Sequence, residues 1–400
     1  MSKIRFLTAG ESHGQALTAI VEGIPAGLTV IAEAIESQLQ RRQRGYGRGG
    51  RMQIERDRAV ILSGVRYGKT MGSPISLLIE NKDWPNWTSK MSPTVLPDPA
   101  QPLHTPRPGH ADYAGMIKYR QDDLRNILER SSARETCARV AVGAIARLLL
   151  AEFDIRIYGH VTKIGGIGIS EAALTMVREA VHREGGQQLE ALYHKIESSP
   201  LACSDDAACR LMMTFIDDMK EQGDTLGGQF EVIATGVPAG LGSHVHWDRK
   251  LSSRLMAALG SINAIKAVEF GLGTDVANRQ GSAVHDELFY EQEKGYFRTS
   301  NNAGGLEGGM SNGEPIIARL SMKPLPTLTK PLRSVDVATH QIQQAFSERS
   351  DVCAVPAAVV VAEAMMALTI ADALCEKCGG DSIAEMKRNF KDLPHAPLEW

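Results

Sequence analysis

The stretch Gly23-Ile-Pro-Ala-Gly-Leu28 returns 213 residues later as Gly236-Val-Pro-Ala-Gly-Leu241, and a strand-like run precedes each copy. A second pair keeps the same order, because Gly72-Ser-Pro-Ile75 is echoed by Gly313-Glu-Pro-Ile316. Self-similarity at such a separation indicates that a structural unit is repeated. The sequence therefore predicts two half-chains of common design.

The half-repeats are predicted at about 3–200 and 215–390, with the join in the polar, helix-like stretch 171–225. On length alone, 400 residues suggest two or three domains, and one large domain is the alternative.

Helix-like and strand-like segments are mixed without a regular βαβ alternation, which favours an α+β fold over a doubly wound parallel sheet. The strand patterns cover 18–21, 59–62, 75–79, 230–234 and 316–320, and the helix patterns cover 123–153, 252–259, 334–346 and 357–378.

Hydrophobic residues make up 43% of the chain and charged residues 23%, as in soluble globular proteins with a sizeable core. The most apolar stretch, 354–374, is interrupted by Pro356, Glu363 and Asp372, so it falls short of the roughly 18 uninterrupted apolar residues of a membrane span. The first residues lack the apolar core of a signal peptide. We therefore expect a cytoplasmic protein without membrane contact.

The six cysteines are sparse and unevenly spaced, which is typical of a reducing compartment. Cys375 and Cys378 form a lone CxxC, whereas a structural zinc site would need a second pair or two histidines. We interpret them as two thiols in a C-terminal helix and expect no metal.

A net charge of −3 argues against a nucleic-acid-binding surface, although the stretch 41–58 carries seven arginines against two acidic residues. The chain has no P-loop, no zincin HExxH motif and no Rossmann GxGxxG that opens a helix after a strand, which disfavours the enzyme classes that depend on them. Arginines in glycine-rich loops instead favour a small substrate with several anionic groups, because the guanidinium fork matches carboxylates and phosphates.

His13 and His110 lie in short polar turns that contain glycine, Gly-Glu-Ser-His-Gly and Arg-Pro-Gly-His-Ala-Asp. Two histidines that converge in a cleft would form a general acid and base near neutral pH. The alternative is that each histidine only binds the backbone of its own loop.

Three other segments carry candidate binding groups. Arg130 and Arg134 lie four apart in a helical pattern, either as a binding pair or as ordinary helix surface. The run Lys323-Pro-Leu-Pro-Thr327 would hold a lysine and a hydroxyl in fixed positions, or is a plain connection. Asp351 follows an arginine and would act as a base or as the N-cap of the next helix.

Taken together, eight motifs in order closely resemble the chorismate synthase family, and the resemblance runs from residue 3 to about residue 390. They are GESHG (10–14), RRQRGYGRGGRM (41–52), RPGHADYAG (107–115), ERSSARET (129–136), SINAIKAVEFG (261–271), NAGGLEGGMSNG (302–313), KPLPT (323–327) and ERSDVCAVPA (348–357).

The resemblance implies a lyase that converts 5-enolpyruvylshikimate-3-phosphate to chorismate and phosphate by 1,4-anti elimination, the final common step of the shikimate pathway and of aromatic amino acid biosynthesis. Members require reduced FMN although the reaction has no net redox change. The usual account for the family is that the flavin transiently donates an electron to the substrate and phosphate leaves. The electron returns to the flavin as the C6 hydrogen is lost. A substrate with two carboxylates and a phosphate also gives the arginines a target.

The resemblance also implies roles for single residues. His13 would donate a proton near the flavin, His110 would protonate the departing phosphate, and Asp351 would serve in removal of the C6 proton. The implied anion-binding residues are Arg42, Arg48, Arg107 and Arg134. The implied FMN contacts are Arg130, Ser131, Ser132, Asn263, Ala264, Gly308, Lys323, Pro324, Leu325, Pro326, Thr327 and Arg349.

Family members share a β-α-β sandwich with internal pseudo-twofold duplication in a single domain, here 1–400, and are usually homotetramers. The implied enzyme is monofunctional, with a separate flavin reductase as a partner. NADPH (NADP) is implied only if the same chain reduces its own flavin.

Two rival functions are weighed against this one. The Arg-Gly-Tyr-Gly-Arg run resembles an RNA-binding segment, but Tyr46 is the only aromatic residue near it, and the net charge is −3. A flavin-free phosphate lyase or phosphatase that uses His13 and His110 is the second rival.

Overall fold

The computed structural model describes residues 3–49, 57–98, 100–183, 187–293, 295–348 and 350–391. The strands are β1 (Arg5–Ala9), β2 (Ala16–Glu22), β3 (Ala59–Ile61), β4 (Val65–Arg66), β5 (Lys69–Thr70), β6 (Ile75–Glu80), β7 (Arg156–Ile164), β8 (Ile167–Gly168), β9 (Gly228–Thr235), β10 (Ile265–Phe270), β11 (Leu288–Glu291), β12 (Gly295–Arg298), β13 (Leu306–Glu307), β14 (Met310–Ser311), β15 (Ile316–Met322), β16 (Arg333–Val335) and β17 (Ile342–Gln344).

The helices are α1 (Ala32–Gln43), α2 (Asp112–Tyr119), α3 (Arg125–Ser131), α4 (Thr136–Ala151), α5 (Glu171–Arg183), α6 (Gln187–Ser198), α7 (Asp206–Gln222), α8 (Leu251–Gly260), α9 (Val355–Cys378) and α10 (Ile383–Lys391). Short 3-10 helices lie at Trp84–Asn86, Ala133–Glu135, Trp247–Arg249, Gly273–Asn278 and Gly281–Ala283.

The two main sheets repeat one topology. In the described residues the first has the order β1-β2-β6-β3, and the second has the order β7-β9-β15-β10 with β8 added at the β7 edge. Neighbouring strands in both sheets are antiparallel. Each half also carries a small hairpin just before the last strand of its sheet in chain order, β4–β5 before β6 in the first half and β13–β14 before β15 in the second. The predicted α+β fold and its duplication are confirmed.

The echoed sequence stretches make equivalent contacts in the two halves. The hydroxyl of Thr70 accepts from Leu28 N (2.9 Å) and donates to Pro25 O (2.6 Å). The hydroxyl of Ser311 accepts from Leu241 N (2.8 Å) and donates to Pro238 O (2.6 Å). The proline-glycine turns are therefore repeated because each is bound by the same hairpin of its own half.

The join between the halves lies earlier than 171–225, so the predicted half-repeat boundaries are wrong. Strand β7 already belongs to the second sheet, where His160 pairs with Glu231 of β9. Helices α5, α6 and α7 are an insertion between β8 and β9. Their polar character suggested a linker, but they cover the second sheet instead.

A layer of helices separates the two sheets. Helix α4 packs against β1, β2 and β6, helix α9 packs against β7 and β9, and the two helices pack against each other. Helix α9 is long and apolar enough to cross a membrane, yet its apolar window is entirely buried inside the fold. Its polar residues are paired, because Glu363 binds Arg41 and Arg147 and Asp372 binds Arg254.

The predicted helix over 123–153 is interrupted. Helix α3 ends at Ser131, and Ser132 is extended (φ −64°, ψ 144°) with its side chain accepting from Arg134 N. A serine that caps the next turn competes with helix continuation, and periodicity does not reveal this.

The predicted helix over 334–346 is wrong, because β16 and β17 form a hairpin there. Asp336 Oδ1 accepts from Ala338 N and Thr339 N, both at 2.9 Å, and so stabilises the turn.

Cys375 and Cys378 do lie in a helix, as predicted, and burial raises the pKa of Cys375 to about 12.

Candidate active site

The segment Glu129–Thr136 connects the predicted site residues with one another. Because Ser132 is extended, successive side chains leave this segment in different directions instead of sharing one helix face. Glu129 binds His13, Ser132 Oγ donates to Ser12 Oγ (3.2 Å), and Arg134 binds Asp57. The predicted pairing of Arg130 with Arg134 on one face is therefore wrong, since the helix ends between them.

His13 is buried and bound by Glu129. Its Nδ1 lies 2.9 Å from Glu129 Oε2, and its backbone N donates to the same oxygen at 2.9 Å. Burial alone would raise the pKa of Glu129, but the hydrogen bonds and charge of His13, together with Arg125, hold that pKa below its usual range. A carboxylate on Nδ1 fixes the orientation of the ring and leaves Nε2 as the nitrogen for proton transfer.

The other side of the His13 ring is supported by Trp87. The two rings stack with centroids 3.8 Å apart and planes inclined by 24°. Asn81 Nδ2 donates to Gly14 O at 2.8 Å and so secures the loop that carries the histidine. The ring is therefore held on its edge and on its face before any ligand arrives.

His110 belongs to a second cluster with Arg107 and Asp112. His110 Nδ1 contacts Asp112 Oδ1, and Arg107 Nε donates to Asp112 Oδ2 at 2.9 Å. Burial would raise the pKa of Asp112, but His110 and Arg107 hold it well below its usual range. Arg107 also donates to the Thr327 hydroxyl (3.0 Å), which connects this loop to the proline-rich run.

The proline-rich run contacts the rest of the site through Lys323. Lys323 Nζ binds Gly109 O next to His110, and Lys323 N donates to Ala264 O (3.0 Å). Asn263 in turn donates to Ser131 O at 2.9 Å. The structure therefore connects the Glu129–Thr136 segment, Asn263–Ala264 and the His110 cluster into one chain of contacts. Ala264 has φ +68°, a strained conformation that is common at functional sites.

Arg42 and Arg134 meet on one buried carboxylate. Arg134 NH1 and Arg42 NH1 both contact Asp57, and Arg42 also donates to Thr136 Oγ1 and Ala133 O, each at 2.9 Å. These contacts occupy donors of Arg42 that were expected to bind substrate. The two arginines therefore hold Asp57 between them and brace the site.

Arg48 and Asp351 form an ion pair. Arg48 NH1 lies 2.9 Å from Asp351 Oδ2, and Asp351 Oδ1 accepts from Gly49 N at 2.6 Å. Burial and the nearby charge of Arg42 lower the pKa of Arg48 despite the carboxylate. Asp351 does not cap the next helix, whose N-cap is Ala354.

A cavity of about 520 Å³ opens beside the Glu129–Thr136 segment, within the usual size of a small-molecule site. Three predicted cofactor contacts, Arg130, Ser131 and Asn263, line it. The other lining residues are Phe6, Leu7, Thr8, Glu135, Arg139, Ser261 and Met365.

Some predicted contacts are not brought to this cavity. Gly308 lies in the turn of the β13–β14 hairpin, where the neighbouring Gly309 O accepts from Leu251 N at the start of α8. Asn263 follows the other end of that helix. Leu325, between Pro324 and Pro326, accepts from the Thr225 hydroxyl through its carbonyl (2.7 Å). Arg349 lies outside the described residues, as do 50–56 of the basic stretch.

Four residues that sequence reasoning did not assign are central to this geometry: Glu129, Trp87, Asp57 and Asp112. The spacing His110-Ala-Asp112 was a usable signal, because a carboxylate two residues from a histidine in a tight turn can reach its ring. No comparable signal marked Trp87, which lies far along the chain from His13.

Comparisons with known proteins agree over nearly the whole chain. The family model described as chorismate synthase matches residues 4–375. A relative named chorismate synthase from Pelobacter propionicus is 56% identical over 398 residues, covering 97% of this chain and 98% of the relative. One of the same name from Aquifex aeolicus is 54% identical, covering 97% of each chain.

A crystal structure of a chorismate synthase superposes with a TM-score of 0.77 at 46% identity and covers 97% of this chain and 96% of that one. The fold predicted from the resemblance is thus confirmed, and by sequence and structure together this chain belongs to the chorismate synthase family of enzymes.

Proposed function

We propose that this enzyme converts 5-enolpyruvylshikimate-3-phosphate to chorismate and phosphate by a 1,4-anti elimination that requires reduced FMN. The observation that carries the proposal is the Glu129–Thr136 segment, which contacts the His13 loop, the arginine pair on Asp57 and the cavity of about 520 Å³. An anionic substrate needs cations and positioned proton carriers in one place. This segment connects the two, because Glu129 contacts His13 and Arg134 contacts Asp57.

The residues around the cavity fit a flavin. Arg130, Ser131 and Asn263 offer polar groups beside the apolar side chains of Phe6 and Met365. The pKa of Lys323 is lowered by partial burial and by the neighbouring Lys266, and no carboxylate of the described part of the chain contributes to it. Such a cation favours the anionic reduced form of the flavin. When bound, reduced FMN would supply the electron that assists departure of the phosphate.

Two histidines would move protons in this reaction. Glu129 holds Nδ1 of His13, so Nε2 is the atom that would carry the proton toward the flavin site. Asp112 holds Nδ1 of His110, so His110 would deliver a proton from Nε2 to the departing phosphate. Both carboxylates have lowered pKa values and stay ionised near neutral pH, so each can accept a hydrogen bond from the Nδ1 side of its histidine.

The substrate carries two carboxylates and a phosphate, and the arginine-rich side of the site would bind them. Among the described residues, Arg42 and Arg134 contact Asp57, and Arg48 contacts Asp351. Arg107 would bind substrate beside His110. Asp351, held by Gly49 N and Arg48, would accept the C6 proton.

The test is an anaerobic incubation of the purified chain with the substrate and FMN, reduced in one sample and oxidised in the other. Chorismate absorbance and phosphate release are followed together. We expect both products only in the reduced sample. Phosphate release with oxidised FMN, or without FMN, would instead support the flavin-free phosphate lyase.

A matched pair of variants localises the chemistry. His110→Asn removes the ring that contacts Asp112, and His246→Asn removes an exposed histidine that contacts Asp248 with the same two-residue spacing (2.7 Å). Only the first should lose turnover, by roughly 10²- to 10⁴-fold, the usual contribution of general acid-base catalysis. Equal activity of the two variants would contradict the role of His110.

We further propose that the enzyme is monofunctional and receives reduced flavin from a separate reductase. With NADPH and oxidised FMN as the only source of electrons, anaerobic samples should form no chorismate. Chorismate formed under these conditions would assign a flavin reductase activity, and an NADPH site, to this chain.

The same proposal includes a single domain, a cytoplasmic location and a homotetramer. One buried core cluster contains residues from both sheets, which supports one domain. The outer face of the first sheet exposes Leu7, Ile20 and Val60, apolar side chains typical of a subunit contact. Ile20→Glu should therefore lower the mass measured by sedimentation equilibrium, whereas Leu211→Glu, at an exposed position of α7, serves as the control for added charge.

A further inference from the structure

A second cavity, of about 180 Å³, lies between helices α1 and α4 and the start of β7, and none of the proposed catalytic residues lines it. Cavities near 150 Å³ are large enough for a benzene ring. Its lining residues are Ala34, Gln38, Ala144, Arg147, Leu148, Ala151, Ile155, Arg156 and Ile157.

The lining combines an apolar wall with two arginines. Six of the nine lining residues are aliphatic, two are arginines, and none is acidic. Arg156 forms two long ion pairs at the surface, with Asp154 at 3.8 Å and with Glu190 at 3.9 Å, and both carboxylates are solvent-exposed. Gln38 adds a neutral amide, whose oxygen accepts from Arg41 at 2.7 Å.

Arg147 has donors to spare. Among the described residues its recorded partner is Glu363, whose Oε2 accepts from NH1 at 3.0 Å. That carboxylate is shared with Arg41, which binds both of its oxygens (2.6 and 3.0 Å). Burial and the repulsion from Arg41 lower the pKa of Arg147 in spite of Glu363. The Nε–NH2 edge of the guanidinium therefore remains for a planar acceptor, and a carboxylate matches that edge with two parallel hydrogen bonds.

We propose that this cavity binds a small monocarboxylate with a compact apolar body, of about the size of benzoate. The carboxylate binds the Nε–NH2 edge of Arg147, with Arg156 as the second cation, and the apolar body packs on the aliphatic side chains of α1, α4 and β7. A bare phosphate satisfies the arginines but not the apolar wall, so the site prefers the organic acid.

The test is a calorimetric titration of the full-length protein with benzoate, with uncharged benzamide and inorganic phosphate as comparison probes. We expect benzoate to bind at least about tenfold more tightly than benzamide, the usual effect of one charge-assisted contact. Phosphate that binds as tightly as benzoate, or no benzoate binding to the wild-type protein, would overturn the proposal.

Two variants locate the binding. Arg147→Gln removes the guanidinium, and Ala34→Met fills the cavity while every charge stays in place. Both should weaken benzoate binding by at least about tenfold. The second variant keeps the test valid if the first disturbs Glu363. Benzoate that binds both variants as tightly as the wild type occupies another site, such as the arginine-rich site described above, and the proposal then fails.

Discussion

Glu129 and Glu231 occupy chemically similar surroundings in two regions of the molecule. Each is buried, each lies against a histidine, and each is bound by arginine. In the first region, His13 stacks on Trp87, and Glu129 begins the segment that lines the cavity of about 520 Å³. In the second, His160 is 0% exposed, and Glu231 lies on a face of the second sheet that helices α5 and α6 cover.

The difference teaches that a histidine–glutamate–arginine group does not identify a catalytic site by itself. Glu231 belongs to a row that crosses four neighbouring strands, from His160 through Arg319 to Glu269. A buried charge without its partner would be costly, and Arg178 of α5 also binds Glu231 (3.2 Å), so the row contacts the helices that cover the sheet. Glu129 instead orients a ring whose second nitrogen remains for chemistry.

The largest effect is expected for His13→Gln. Chorismate formation should fall by roughly 10²- to 10⁴-fold, because the variant lacks the proton carrier held by Glu129. The unfolding midpoint in urea should stay close to that of the wild type. The matched variant His160→Gln should show the opposite pattern, with lower stability and retained turnover, and turnover losses of equal size would erase the distinction between the two regions.

Glu231→Gln should cost about 3 kcal/mol of unfolding free energy at pH 7. Burial would raise the pKa of Glu231, but His160, Arg178 and Arg319 lower it to about 2 from an ordinary value of 4.5. A depressed folded-state pKa stabilises the protein above pH 4.5, and this contribution is lost as the pH falls from 4.5 toward 2. Urea unfolding at several pH values should show that the unfolding free energy of the variant falls less than that of the wild type between pH 4.5 and 2. Turnover of the variant at neutral pH should be retained.

Glu129→Gln should lower kcat by about ten- to a hundredfold, the loss of a hydrogen bond to a charged group, with KM changed by less than about twofold. Glu129→Asp should restore part of the rate because it keeps the charge. A rise in KM at constant kcat would mean that Glu129 shapes the binding site and does not position His13.

The smallest effect is expected for Trp87→Leu, which removes the ring that stacks on His13. An aromatic pair contributes roughly 0.5–1.5 kcal/mol, so kcat should fall by about two- to tenfold. Trp84→Leu, at the start of the 3-10 helix that Trp87 caps at its C-terminal end, is the control and should leave kcat unchanged. Equal losses would point to a general disturbance of that helix.

Much of the fold could be predicted from local pattern. The strand patterns over 18–21, 75–79 and 316–320 correspond to β2, β6 and β15, because alternation of buried and exposed residues is a property of neighbouring positions. The echoed proline-glycine turns indicated the duplication because each turn is likewise encoded by a few neighbouring residues. The helix over 334–346 failed because its composition suits a helix, whereas the Asp336 turn and the pairing of β16 with β17 decide otherwise.

The site was predicted as a set of residue types, and its geometry was not. Sequence motifs named His13, His110, Asp351 and the arginines, but they did not show that Arg42 and Arg134 share Asp57 or that Glu129 holds His13. Those partners lie 15, 77 and 116 residues apart in the chain.

The sequence alone thus determined the duplicated α+β design, the family and the inventory of charged groups, because turn chemistry, periodicity and motif order are written along the chain. Only the tertiary structure decided where the helix breaks at Ser132, where the halves join, and which buried glutamate begins the segment beside the cavity and which lies under the insertion helices. Those outcomes depend on burial and on contacts between distant segments, which exist only once the chain has folded.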